Sequence, residues 1–281
     1  METLGFYNGK WGPLEEMTVP MLDRACYFGD GVYDVTFSEN YIPFSLEEHL
    51  ERFYKSAALL EIKIPYTPEE LAGIIRDMMQ KLDSGSQWVY CQVTRGTALR
   101  DHDYTPEMCG NVWIMLKPMS IRDVYEPISL ISLEDTRFLH CNIKTLNLIP
   151  SIIATRKAHA AGVYESVLHR AGRVTECAHS NIHILKDGKV KTAPADNLIL
   201  AGVARAHFLK MCQTLGIPTE ETPYTLDELR AADEIIVTSS SALCLRALSL
   251  DGEPIGGKDG ETLKKLQDAL LSEFKEYTKG N

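Results

Sequence analysis

The stretch Lys117-Pro-Met-Ser-Ile-Arg-Asp-Val-Tyr-Glu-Pro127 interrupts an otherwise periodic chain. A proline cannot donate to a ladder or continue a helix, and it pushes the residue before it into extended backbone. Two of them, separated by mixed polar residues, predict a connection between independently packed parts. The expected division is residues 1–118, a connection at 119–127, and residues 128–281.

The pattern on each side sets the class. Ser45-Leu-Glu-Glu48 predicts a capping box opening a helix through about Leu60, with Leu46, Leu50, Phe53 and Ala57 on one face. Thr67-Pro-Glu-Glu70 predicts a second, with Leu71, Ile74, Ile75 and Met78 inward. Trp88–Thr94 and Asn111–Leu116 read as strands. Beyond the break, strands are expected near 128–133, 163–169, 181–185, 189–192 and 234–238. Helices are expected near 148–161, from about 202 to Gly216, and from Leu263 to Tyr277, and Asp187-Gly188 marks a hairpin. This order is α+β in two parts, without regular βα alternation or internal repeats.

The chain has 281 residues, with 29 basic against 39 acidic side chains, giving a net charge of −10. That balance argues against nonspecific nucleic-acid binding. No apolar run approaches the roughly 20 residues needed to span a bilayer, and the N-terminus has no signal-peptide pattern. Seven dispersed cysteines without a Cys-x-x-Cys pair indicate neither zinc nor a disulfide framework, and a reduced cytoplasmic protein is expected.

Lys144, in Cys141-Asn-Ile-Lys-Thr-Leu-Asn147, is the leading chemical candidate. An ordinary lysine lies on the surface with its stem along apolar neighbours. Here Ile143, Leu146, Leu148 and Ile149 point toward burial, where an amine becomes a nucleophile toward an aldehyde and then a base. Glu176 could hold a heterocyclic nitrogen protonated, or could be a surface carboxylate beside the turn at Gly172. Gly202-Val-Ala-Arg205 opens a helix whose first N–H groups favour a phosphate. Thr238-Ser-Ser-Ser241 could complete that anion site or cap itself. Arg52 would ordinarily be a solvated helix arginine.

The stretch from Glu176 through Asn181 and Val190-Lys-Thr192 to Gly202-Val-Ala-Arg205 resembles the signature of class IV pyridoxal-phosphate aminotransferases, and the resemblance covers essentially the whole chain. It implies the two-domain fold of that class, with a smaller N-terminal α/β domain and a larger C-terminal one. It also implies Lys144 as the Schiff-base lysine for pyridoxal 5'-phosphate and Glu176 as partner of the pyridine nitrogen. Arg52, the backbone of Val203 and Ala204, and Ser239 and Ser240 would bind the phosphate, and Arg137 would lie near the cofactor. Ala204 replaces a residue that often carries a hydroxyl, and Ser240 is expected to offset it. His183 stands where an aromatic residue is usual and is expected to affect strand packing, while His179 is expected to fill space.

Tyr27-Phe-Gly-Asp-Gly-Val-Tyr33-Asp and Val93-Thr-Arg-Gly-Thr-Ala-Leu-Arg100-Asp-His102 are similar to segments of D-amino-acid aminotransferases. They imply a trap for the substrate α-carboxylate made by Tyr33, Arg100 and His102. The expected substrates are D-amino acids such as D-alanine with 2-oxo acids such as 2-oxoglutarate. A homodimer is implied, with the trap completed or shared across its interface. The rivals are a branched-chain L-amino-acid aminotransferase, an aminodeoxychorismate lyase and a noncatalytic cofactor-binding regulator.

Overall fold

A computed structural model describes residues 2–280 and divides the chain into two units. The first runs from the N-terminal end to Ser120 and also takes Ile143–Asn147 and the chain from Phe274 onward; the second holds Ile121–Asn142 and Leu148–Glu273. The division therefore differs from a single cut at the proline-bearing stretch. Pro118 closes a strand, and the segment carrying Lys144 belongs with the N-terminal part.

The first unit contains β1 (Leu4–Tyr7), β2 (Lys10–Gly12), α1 (Ala25–Phe28), β3 (Gly31–Glu39) and β4 (Ile42–Pro43). It continues with α2 (Leu46–Leu59), α3 (Pro68–Met79), β5 (Gln87–Thr94) and β6 (Asn111–Pro118). Its sheet is antiparallel in the order β2-β1-β6-β5-β3-β4. Period-two alternation gives the sheet two distinct faces. Val32 on β3 and Val89, Cys91 and Val93 on β5 are buried in one core with Leu46, Leu50, Phe53 and Ala57 of α2. Leu71, Ala72, Ile75, Met78 and Met79 of α3 complete that layer. The alternate residues Tyr33, Trp88 and Tyr90 are only partly buried.

Thr67 caps α3 as expected, its hydroxyl accepting from the Glu70 N–H while the Glu70 carboxylate accepts from the Thr67 N–H. Ser45 does not form the predicted box. Its backbone is left-handed (φ 50°) and its side chain makes no cap bond to α2. The incoming chain is instead fixed from the sheet side, where Phe44 N–H donates to Phe37 O and the Thr36 hydroxyl to Phe44 O.

The second unit contains β7 (Ile128–Glu134), α4 (Ile149–Ala160), β8 (Glu165–Arg170), β9 (Arg173–Cys177), β10 (Asn181–Lys186) and β11 (Lys189–Thr192). There follow α5 (Val203–Thr214), β12 (Thr219–Glu221), α6 (Leu226–Ala231), β13 (Glu234–Thr238), β14 (Leu245–Leu250), β15 (Glu253–Pro254) and α7 (Gly260–Tyr277), whose last residues join the first unit. The mixed sheet runs β12-β11-β10-β13-β14-β7-β8-β9, with β15 on β14. Asp187 and Gly188 both have positive φ, the backbone a tight two-residue hairpin needs between β10 and β11. Buried Ile128, Leu130, Val167, Ile182, Ile184, Ile235 and Val237 make the core.

In α4 the Ile149 side chain, expected to help bury Lys144, is exposed. Ala154 and Ala158 are buried, whereas Ile149, Ile152 and Ile153 are exposed.

Candidate active site

In the first unit, the segment Ile143–Asn147 lies along β3. Tyr33 N–H donates to Lys144 O (2.9 Å), Leu146 N–H donates to Gly31 O (3.0 Å), and Val32 bridges Thr145. Gly31 permits this approach, because a Cβ there would come within 2.5 Å of Val93 O and 2.7 Å of the Leu146 side chain. Lys144 is half-buried between buried Ile143 and Thr145. Among the described residues its amine has no carboxylate partner; Nζ lies 4.5 Å from the centroid of the Tyr33 ring. An amine held beside an aromatic face, without a competing anion, is available for condensation with an aldehyde.

The buried face of β3 carries Asp34. It accepts from Arg52 Nε and Nη2, both at 2.8 Å, and from His49 Nδ1 at 2.7 Å. Burial opposes ionisation of Asp34, but Arg52 and His49 outweigh it and hold the carboxyl well below the usual carboxylate range. Burial lowers the His49 pKa; Asp34 opposes this, while Arg52 and Lys144 reinforce it. A neutral His49 therefore presents Nδ1–H to Asp34. The two-point contact fixes the plane of the Arg52 guanidinium.

Arg100 and His102 lie on an exposed loop, and both rest on Phe28, at 4.9 and 5.1 Å between centres. The structure thus brings these two together, as their spacing suggested. Among the described residues, no hydrogen bond or ring contact joins either to Tyr33.

In the second unit, Glu176 at the end of β9 is buried and held on both oxygens. Oε1 accepts from Arg137 Nη1, and Oε2 accepts from Asn181 Nδ2 and Leu200 N–H, each at 3.0 Å. Arg137 is itself clamped by fully buried Asp135 through Nε (3.0 Å) and Nη2 (2.9 Å), and Nη2 also donates to Leu198 O. Burial opposes the charge on Arg137, but Asp135 and Glu176 together raise its pKa. Burial likewise opposes ionisation of Asp135, and the Arg137 and Arg170 guanidiniums hold it low. A carboxylate so placed is an acceptor suited to a protonated ring nitrogen.

Asn181 connects Glu176 to the start of α5. Its amide also donates to Leu200 O (2.9 Å), and its Oδ1 would lie 2.2 Å from a Cβ at position 202, which explains Gly202. No side chain caps α5, and its first-turn N–H groups cannot be paired within the helix. Val203 and Ala204 present those groups, whereas the Arg205 guanidinium is engaged by Ala193 O and Glu221. Thr238, paired in register with Asn181, leads into the Ser239–Ser240 turn. There the Ser239 hydroxyl meets that of Ser241 at 3.1 Å. Helix start, serine turn and held carboxylate are thus linked through one asparagine, an arrangement that fits a phosphorylated heterocycle.

His183 is fully buried, with its ring nitrogens 2.8 Å from the Thr192 hydroxyl and 2.9 Å from the Thr238 hydroxyl, and its ring stacks on Phe208. It joins β10, β11, β13 and α5. His179 is not a space-filler: it is half-exposed, its N–H donates to buried Glu165 (2.7 Å), and its Nδ1 lies 3.3 Å from the same carboxylate. His49 and Asp135 lie in no recognisable motif, and Asp34 closes the Tyr27–Asp34 segment without a role implied by it. Asp135 could have been noticed only by its place two residues before Arg137.

Comparison with known proteins agrees with this architecture. The family profile described as amino-transferase class IV matches residues 31–250. The chain is 38% identical over 272 residues to D-alanine aminotransferase of Bacillus licheniformis, covering 94% of each. It is 35% identical to that of Staphylococcus haemolyticus, covering 94% of this chain and 95% of the relative. The branched-chain amino acid aminotransferase of T.th., complexed with N-(5'-phosphopyridoxyl)-L-glutamate, superposes with a TM-score of 0.89 at 26% identity, covering 98% and 94% of the two chains. That of Escherichia coli, at 22% identity and a TM-score of 0.88, covers 99% of this chain and 96% of its own and shares the fold. The chain belongs to the class IV aminotransferases, and it is a transaminase.

Proposed function

We propose that the protein transfers the amino group of a D-amino acid, such as D-alanine, to a 2-oxo acid such as 2-oxoglutarate, using pyridoxal 5'-phosphate. The observation that carries the cofactor chemistry of this reading is Glu176, a buried carboxylate whose oxygens are fixed by Arg137, Asn181 and Leu200 N–H. The substrate class follows the Arg100–His102 pair grouped on Phe28. The bound cofactor supplies an aldehyde and a protonated ring that accepts electrons from the substrate Cα. Lys144 Nζ would hold the cofactor and, once the substrate amine has displaced it, would be free to take the Cα proton. Glu176 keeps the ring nitrogen protonated, with Arg137 acting behind it. Arg52, the Val203 and Ala204 N–H groups, Ser239 and Ser240 hold the phosphate.

Tyr33, Arg100 and His102 bind the substrate α-carboxylate. Because Arg100 and His102 are exposed and grouped on Phe28, we assign them to the site of a second copy in a homodimer. Exposed Met21 and Leu99 near that loop, and Ile149, Ile152 and Ile153 on α4, support such an assembly. Among the described residues no helix is long and apolar enough to cross a membrane, and all seven cysteines are free, which supports a cytoplasmic setting.

The direct test is one half-reaction, mixing cofactor-loaded protein separately with D- and L-alanine and following the visible band. D-alanine should convert the bound cofactor to its amine form; conversion by L-alanine alone overturns the stereochemical assignment. For the shared trap, mixing Lys144→Ala with Arg100→Ala subunits should restore up to about a quarter of wild-type activity, the share expected when each mixed dimer retains one intact site. No recovery after verified subunit exchange places Arg100 with its own subunit's lysine.

A further inference from the structure

We propose that Trp88 and Tyr90 are positioning residues for the amine of Lys144, acting through the ring of Tyr33. The inference rests on the reading that Lys144 is the reacting amine.

Its basis is a continuous stack within the first unit. Lys144 Nζ lies 4.5 Å from the Tyr33 centroid. Tyr33 stacks on Tyr90 (5.5 Å, 18° between planes), and Tyr90 on Trp88 (5.3 Å, 25°). Lys117 closes the far end, with Nζ 4.8 Å from the Trp88 ring.

The sheet register produces this order. Tyr33 pairs with Gln92, so Tyr90, two residues along β5, is its diagonal neighbour on the same face. Trp88 is the next residue on that face, and Lys117 is its partner across the β5–β6 ladder. At the near end, the bond from Tyr33 N–H to Lys144 O fixes the two backbones at 2.9 Å, leaving the ring and the amine as the adjustable parts.

The Tyr90 hydroxyl is anchored on Gln92 Oε1 at 2.6 Å. Burial, followed by Tyr33 and Cys91, raises its pKa, so the phenol stays neutral. A ring held this way cannot swing away from Tyr33, and Tyr33 in turn cannot swing away from the amine. The electron-rich face then favours the cationic amine and limits where it can go. The stack is not a platform for an aromatic substrate. Its inner faces meet one another and its ends meet two ammonium groups, which leaves no ring face for a ligand.

His49 interacts electrostatically with the amine and is held against Asp34, which also pairs with Arg52. None of them changes in the proposed variants.

The test uses full-length, cofactor-loaded protein. The pH midpoint of the visible band of the Lys144-linked cofactor is compared in wild type, Tyr33→Phe, Tyr33→Leu, Tyr90→Leu, Trp88→Leu and Trp88→Phe, with melting temperature measured alongside. Loss of the Tyr33 ring should lower the midpoint by about half a unit to one unit, because the cationic form loses its aromatic partner. Tyr33→Phe, which keeps the ring, should hold the midpoint. Tyr90→Leu and Trp88→Leu should lower it in the same direction by a smaller amount, and Trp88→Phe should restore it. A midpoint unmoved in Tyr90→Leu and Trp88→Leu, whether or not their melting temperatures fall, overturns the proposal and leaves those rings as packing. A lysine-linked band that persists in Lys144→Ala instead overturns the underlying lysine assignment, independently of the stack.

Discussion

Each unit builds an arginine fork on a buried aspartate, and the two forks serve opposite ends. Asp34 receives Nε and Nη2 of Arg52, and Asp135 receives Nε and Nη2 of Arg137, at nearly the same distances. In the first unit the aspartate also holds a neutral imidazole, His49, which feels the charge of Lys144. In the second the arginine reaches past its aspartate to another carboxylate, Glu176. The same device therefore accompanies a nucleophilic amine in one unit and braces an anionic acceptor in the other. The identity of the third group decides which chemistry results.

The largest expected effect comes from breaking either fork. Removing one member of a buried ion pair typically costs about 3–5 kcal/mol, because the other charge is stranded. Asp34→Asn and Asp135→Asn should each lose stability of that order in denaturant unfolding. Only Asp135→Asn should also weaken the braced carboxylate as a ring-nitrogen partner, since Arg137 then acts on Glu176 alone. If Asp34→Asn costs less than about 1 kcal/mol, the range of an exposed pair, the two forks are not equivalent.

A smaller effect separates the buried imidazoles. Burial lowers the pKa of His183, and Arg205 lowers it further; burial also lowers that of His49. The unfolded chain therefore binds these protons first, near pH 6.5. Stability is fully present above that value and falls as pH drops toward the depressed folded values. His183→Phe removes one such proton, so its stability should fall less steeply below about pH 6.5, by roughly 1.4 kcal/mol per pH unit. The slope is the readout, because stranding the Thr192 and Thr238 hydroxyls shifts absolute stability as well. An unchanged slope would mean that His183 does not resist protonation.

What could be read from sequence follows from how local each cause is. Leu46, Leu50, Phe53 and Ala57 declared α2 through spacing alone, and all four are buried. Lys144 and Glu176 stood out because an amine in an apolar run and a glutamate before small residues need a reason. Asp34 and Asp135 did not, because their roles arise only on folding: Arg52 reaches Asp34 from 18 positions away, and Arg137, although two residues from Asp135, is tied to Glu176 across 39. The aromatic stack was hidden for the same reason. Tyr33 and Trp88 share a face only once the β3–β5 register is set. The short strands β1 and β2 escaped because too few residues alternate to give a period, and Gly5 interrupts what there is.

The smallest effect isolates one place where a local pattern was overruled. Thr67-Pro-Glu-Glu70, Thr225-Leu-Asp-Glu228 and Ser45-Leu-Glu-Glu48 have the same capping spacing, and the first two form the full reciprocal box, one in each unit. Ser45 instead adopts φ 50° to turn out of a strand pair whose bonds through Phe37 and Thr36 fix Phe44. Sheet pairing outweighs a cap worth about 1 kcal/mol. Thr67→Ala and Thr225→Ala should therefore each cost about that much in thermal unfolding. Ser45→Gly should cost less than either, since glycine tolerates positive φ and this offsets the loss of the buried hydroxyl. A loss at Ser45→Gly matching that at Thr67 would mean the hydroxyl caps α2 after all, and the sequence pattern, not the strand, set that helix's start.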